Sequence, residues 1–136
     1  MILVKATPAE WSNYSEAAHS VVFNEYRPAD MDRIDFALIA EADLVPQLYM
    51  TCREFDKETV YISSGGAFPV CKGTPNSWQG FMLMLDYLKA NYKRCTLLTV
   101  NDNFPMLKFA LKAGFKTIGI RFFNGYVLLE QYLEFT

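Results

Sequence analysis

The chain has 136 residues, 51% of them hydrophobic, with a net charge of −2 and a pI near 5.4. It is long enough to bury one core and too apolar for disorder. No run of lysine or arginine supplies a nucleic-acid face, and no stretch approaches the ~18 apolar residues of a membrane span.

Cysteine is sparse: Cys52, Cys71 and Cys95, with no CxxC pair. Together with a single histidine, His19, this leaves no His/Cys metal cluster and points to a reducing, cytoplasmic compartment. The opening MILVKATPAEW is too short in its apolar run, and lacks the basic start, for a signal peptide.

Ile2 to Ala6 reads as a short strand. Thr7-Pro8 places a hydroxyl at an N-cap and proline in the first turn, so a helix is expected from there to about Tyr26. Trp11, Tyr14, Ala18, Val21 and Val22 would be its apolar face. Arg27-Pro28 breaks it, and Arg27 to Arg33 is a polar connection. Three strand-like runs follow, Asp35–Glu41, Leu44–Arg53 and Thr59–Phe68. Their short polar turns predict antiparallel neighbours.

Gly73 to Gly80 turns into a second helix, and Thr74-Pro75 repeats the start signal. Trp78, Phe81, Met82, Leu85, Leu88 and Tyr92 form its stripe. Arg94–Val100 reads as a buried strand. Asn101 to Asn103 caps a third helix, Phe104–Ala113, which Gly114 stops. Lys116–Phe123 and Tyr126–Phe135 are strands joined by Asn124-Gly125, the pairing a type I′ turn requires. The order is β-α-β-β-β-α-β-α-β-β, and its strand-helix-strand centre forces one parallel pair. The expected architecture is a single α/β (α+β) domain over 1–136, with a mixed, mostly antiparallel twisted sheet and helices on both faces.

That order, with Asn103, Lys112, Gly114 and Phe115 in the phrase around the third helix, resembles the GNAT N-acetyltransferases. Members often read N-x-x-A-x-x-L-Y-x-K-x-G-F there. The resemblance implies that Asn103 lies near the pantetheine arm of acetyl-CoA. It also shows a departure: the tyrosine that many members use as general acid is Ala110, and a methyl group cannot donate a proton. No catalytic side chain is assigned.

Ala67-Phe68-Pro69 resembles the end of the family's fourth strand, whose backbone bonds the pantetheine amides. This implies cofactor contacts at Phe68 and Val70. The family's glycine-rich pyrophosphate loop is represented by Lys72 to Gly80, where Lys72, Gly73, Asn76 and Ser77 would hold the anion at a helix N-terminus. Its paired glycines are gone, and Pro75 removes one amide donor. Degenerate GNAT-like proteins of this size occur in tailed bacteriophages, and the chain resembles that group; a phage-encoded protein would work in the host cytoplasm.

Each of these residues has a plainer reading. Asn103 is equally a helix cap, and Lys72 a solvated loop lysine. Ser63 and Ser64, beside Gly65-Gly66, fit a strand with small residues at a bulge. Glu41, Asp43, Asp56 and Glu58 flank turns and read as solvated, Tyr61 as a cross-strand aromatic, and His19 as a helical residue without a catalytic role. Cys71 is reactive only if the neighbouring helix N-terminus lowers its pKa; otherwise it is filler. Lys108 and Lys112 share one helix face, normally a solvated stripe.

Two functional classes follow. In one, acetyl-CoA donates its acetyl group to a small-molecule or protein amine that attacks the thioester directly, with backbone near Ala67 to Val70 polarising the carbonyl. In the other, the fold is a non-catalytic scaffold, structural or host-directed, that binds a protein. Phe104, Phe122, Phe123 and Tyr126 are its interface candidates, and a homodimer is among the assemblies considered. Neither class calls for a metal, nucleic acid or a membrane.

Overall fold

The computed structural model describes residues 1–12 and 34–135. Seven strands form one sheet in the order β1-β2-β3-β4-β5-β7-β6. They are β1 (Ile2–Ala6), β2 (Phe36–Ala42), β3 (Val45–Glu54), β4 (Thr59–Ala67), β5 (Arg94–Val100), β6 (Lys116–Phe123) and β7 (Tyr126–Glu134). The described helices are α1 (Pro8–Ser12), α2 (Pro75–Asn91) and α3 (Phe104–Ala113). Every strand pair is antiparallel except β4 with β5. The sequence-based architecture is borne out.

Strand alternation divides the core between the two faces of the sheet. On one face Leu38, Met50, Val60, Cys95 and Leu97 pack under Phe81, Met84 and Leu88 of α2 and Ala110 of α3. On the other, Ala37, Ile39 and Tyr49 pack against Trp11 of α1, whose ring centroid lies 4.9 Å from that of Tyr49.

Local chemistry explains the helix ends. At α1, Thr7 Oγ1 accepts from the Glu10 N–H while Glu10 Oε1 accepts from the Thr7 N–H, a reciprocal capping box. Asn103 Oδ1 accepts from the Met106 N–H at 3.3 Å, so Asn103 caps α3. Gly114, at φ 99°, ends α3. Thr74 differs from expectation: its hydroxyl donates to the Cys71 carbonyl at 2.6 Å instead of capping α2.

Several strand boundaries move, and β2 and β3 each run one residue further than expected, to Ala42 and Glu54. The β2–β3 hairpin turns on Asp43 (φ 51°) and Leu44 (φ 66°), so Leu44 is a turn residue and β3 starts at Val45. Asp35 precedes β2, where its carboxylate accepts from the Glu54 N–H at 2.6 Å. Strand β4 stops at Ala67, because the Phe68 carbonyl is drawn into the following turn by the N–H groups of Cys71 and Lys72. Strand β7 ends at Glu134. The buried side of α2 is rotated toward Ser77, Gly80 and Met84, leaving Trp78 and Met82 half-buried. The remainder of the expected first helix, with His19, and the expected Arg27–Arg33 connection lie outside the described residues.

Candidate functional site

The parallel ladder between β4 and β5 runs from Thr59 opposite Arg94 to Ile62 opposite Leu97, and there it ends. Beyond it Ser64–Ala67 stay paired with β3, and Leu98–Val100 stay paired with β7. The two strands therefore separate toward their C-terminal ends. The half of each backbone that would have faced the other strand is left for another partner. Helices α2 and α3 follow β4 and β5, so both start at this open end.

The local cause on β4 is a bulge opposite Thr51 and Cys52. Thr51 is buried, and its hydroxyl lies 2.7 Å from Ser63 Oγ and 2.5 Å from Ser64 Oγ. Both serines thus face one threonine, the arrangement an extra residue in a strand produces. At Gly65 a side chain would bring a Cβ within 3.0 Å of the Tyr49 carbonyl oxygen, so this stretch of β4 is held close to β3 without one.

The loop from Phe68 to α2 is wound on itself. The N–H groups of Cys71 and Lys72 donate to the Phe68 carbonyl, and that of Thr74 donates to the Cys71 carbonyl. The Ser77 N–H and the Ser77 hydroxyl both turn back to the Thr74 carbonyl, at 3.1 and 2.7 Å. The Phe68 N–H donates to the Gln47 carbonyl, and its ring packs 5.7 Å from that of Tyr49 in the core. Val70, Lys72 and Gly73 are exposed, and Gly73, at φ 76°, has open space around it. Asn76 is half-buried beside a buried Ser77. Asn103 caps the other helix at the same end of the sheet.

Elsewhere, the residues weighed for reactivity and given plainer readings have structural partners. Burial pushes the Cys71 thiol up, and its Sγ donates to the Gln47 carbonyl. Burial likewise raises Cys52 and Cys95. Glu58 pairs with Lys93 and Arg94 at the opposite end of the sheet. Asp56 accepts the N–H groups of Glu58 and Thr59 in the β3–β4 turn. Tyr61 stacks on Phe55 at 5.3 Å, and burial raises its phenol. The described residues contain no His/Cys/Asp/Glu group suited to a metal, and no described helix is long and apolar enough to cross a membrane.

One polar pair at the opening was not singled out from sequence. Thr99 Oγ1 donates to Gln131 Oε1 at 2.9 Å, both residues are buried, and the Gln131 side-chain N–H2 has no partner. The available signal was a glutamine in register with Val127, Leu129 and Leu133, on the otherwise apolar face of β7.

No protein-family model and no curated protein matches the sequence. Solved structures do match the backbone. A spermidine N-acetyltransferase chimera from Vibrio cholerae superposes with a TM-score of 0.76 at 14% identity, over 98% of this chain and 96% of that one. An IAA acetyltransferase from Bacillus cereus gives 0.71 at 13% identity, over 98% of both. A GNAT family acetyltransferase from Elizabethkingia anophelis, solved with acetyl-CoA bound, gives 0.64 at 17% identity, over 73% of this chain and 75% of that one.

The chain has the GNAT fold. At these identities the likeness is one of backbone fold.

Proposed function

We propose that the chain is an acetyl-CoA-dependent N-acetyltransferase of the GNAT type. The observation that carries this reading is the end of the β4–β5 ladder at Ile62 and Leu97. It leaves a backbone edge on β4 suited to the amides of a pantetheine arm, as an added strand would be held. Gly65 and Gly66 line that edge without side chains. Bound there, acetyl-CoA supplies an activated acyl group for a small-molecule or protein amine.

The loop beneath it modifies the expectation. Phe68 contributes little to a cofactor, since its half-buried ring packs against Tyr49 and its N–H and carbonyl are both engaged. The Ser77 N–H is engaged as well, so pyrophosphate would rest on the Lys72 charge, Gly73 and Asn76 more than on a row of free amides. Affinity should come chiefly from the β4 edge. Ala110, fully buried against the sheet, holds no proton donor for the leaving thiolate. The amine attacks directly: its C–N bond forms as the thioester C–S bond breaks, and the proton it sheds reaches the CoA thiolate through water or another group, with catalysis by positioning. In this reading the protein is a degenerate member of the kind found in tailed bacteriophages, a single domain acting in the host cytoplasm.

Ala110 and the self-bonded loop also favour a second reading, a non-catalytic protein-binding scaffold. Calorimetric titration of the purified chain with acetyl-CoA, CoA and acetyl-pantetheine separates the two. Micromolar acetyl-CoA binding, with acetyl-pantetheine within about tenfold (~1.4 kcal/mol), supports the edge-bound cofactor. No binding at millimolar ligand removes the enzyme and leaves the scaffold.

A further inference from the structure

Gln131 of β7 is fully buried, and its carboxamide N–H2 finds no acceptor among the described residues. A buried donor left unpaired costs stability, so a chain that keeps one has a ligand or a water for it. The sheet sets its position. Gln131 lies opposite Leu97 of β5, and Leu97 lies opposite Ile62 of β4, so the three form the last complete row before β4 and β5 part. The side chain leans past that row. Its Oε1 accepts from Thr99 Oγ1 at 2.9 Å, and Thr99 stands two residues beyond Leu97 on the strand that borders the opening.

Helix α3 covers this spot. It returns from the end of β5 and so runs in the same direction as β7. A Cβ at Gly114 would lie 3.5 Å from Leu133 Cδ1, which fixes where the end of α3 meets β7. Two residues back along β7 is ~6.8 Å, and four residues back along α3 is ~6 Å. Gln131 therefore lies under the turn that carries Ala110, a buried residue that offers only a methyl group.

We propose that the Gln131 carboxamide donates a hydrogen bond to the sulfur of the leaving CoA thiolate, with Thr99 as the residue that orients it. The inference rests on the acetyltransferase reading, in which the pantetheine arm runs from the helix starts along the β4 edge and brings the thioester to the end of the ladder. As the amine forms its C–N bond, the C–S electron pair passes to sulfur and negative charge develops there. N–H groups fixed in a buried site stabilise that charge without reorganising. The carboxamide keeps both its protons. Water takes the proton that the amine sheds and supplies the one that the thiolate gains. Because the Thr99 hydroxyl donates to Oε1, the N–H2 end is the one left for the sulfur.

The test compares CoA with desulfo-CoA, in which hydrogen replaces the thiol. Both are titrated calorimetrically into the full chain across the pH range in which the thiol ionises. Protein groups that titrate affect both ligands alike, so the ratio of the two affinities reports the sulfur. Burying a thiolate without a donor lowers the preference for CoA as pH rises. With Gln131 donating, that preference should instead rise about tenfold. Gln131→Met keeps the length and removes the donors, and Thr99→Val frees the carboxamide to turn. Each should abolish the rise and leave desulfo-CoA affinity unchanged. The double variant replaces both polar partners with apolar groups and should melt no lower than the native chain, which separates loss of thiolate preference from loss of fold. A flat or falling ratio in the native chain, as when the N–H2 holds only a water, overturns the proposal and leaves the acetyltransferase reading standing. So does a rise that Gln131→Met retains. Binding of neither ligand overturns both.

Discussion

The Lys112 ammonium lies 4.2 Å from the centroid of the Trp78 ring, joining the last turn of α3 to the first turn of α2. Phe109 reaches the same ring edge-on at 5.6 Å and stacks on Phe81 at the same distance, so the two helices share an aromatic seam. Lys112 is therefore more than one of a solvated pair with Lys108. Lys112→Ala should cost about 0.5–1 kcal/mol, the range for a cation over an exposed aromatic face. Lys112→Met, which keeps the apolar stem, should lose less. A denaturant double-mutant cycle with Trp78→Leu measures the coupling. Additive effects would show that the charge and the ring do not interact in solution.

The turn between β2 and β3 holds a bulky side chain where glycine is the ordinary choice. Leu44 has φ 66° and its side chain is 85% exposed, so it carries the steric cost of the left-handed region with no packing in return. That cost is about 1–2 kcal/mol, partly offset by the greater chain entropy of glycine in the unfolded state. Leu44→Gly should therefore raise stability by about 0.5–1 kcal/mol, read as a higher urea midpoint with an unchanged slope. A lower midpoint would mean that the turn does not have this geometry.

These two turns show what a sequence can carry. Asn124-Gly125 is legible because both residues tolerate positive φ, and the chain turns there at φ 49° and 80°. Asp43-Leu44 makes a similar two-residue turn with a residue that local propensity argues against. The hairpin closes because Ala42 and Val45 are held opposite each other by the strands, a long-range cause that no local signal reports. The site divides in the same way. Its helix starts and its small residues at Gly65-Gly66 were readable from residue type. The end of the β4–β5 ladder, the loop carbonyls that engage the Ser77 and Cys71 amides, and the buried Thr99–Gln131 pair depend on which strands meet, and periodicity along one segment cannot supply that.

Acid should loosen the β3–β4 turn. Asp56 accepts N–H bonds from Glu58 and Thr59, each at 2.8 Å, and the Glu58 bond above all holds its carboxyl below the ordinary carboxylate value. A lowered folded-state pKa contributes stability that is present above the unfolded value and is lost as pH falls through the folded one. The gap in melting temperature between the native chain and Asp56→Ala should thus be open at neutral pH. It should close as pH drops below about 4, near the unfolded aspartate value. Asp56→Asn, an acceptor without charge, should show a smaller gap with no such pH dependence. A gap of constant size in Asp56→Ala would mean that the ionised form has no advantage in the fold.

Asn103 offers the sharpest separation of structure from function. Its Oδ1 caps α3 through the Met106 N–H, and its own N–H donates to the Val100 carbonyl at 2.9 Å, so the residue sits where β5 turns into the helix at the open end of the sheet. Asn103→Ala removes the cap and should cost about 1 kcal/mol. Asn103→Ser restores an oxygen that can accept from the first turn and should return stability to within a few tenths of a kcal/mol. It does not restore the carboxamide. If that amide reaches the pantetheine arm, Asn103→Ser will melt like the native chain yet bind acetyl-CoA several-fold more weakly. Equal affinity in the serine variant would leave Asn103 as a cap alone and move the search for cofactor contacts to the β4 edge.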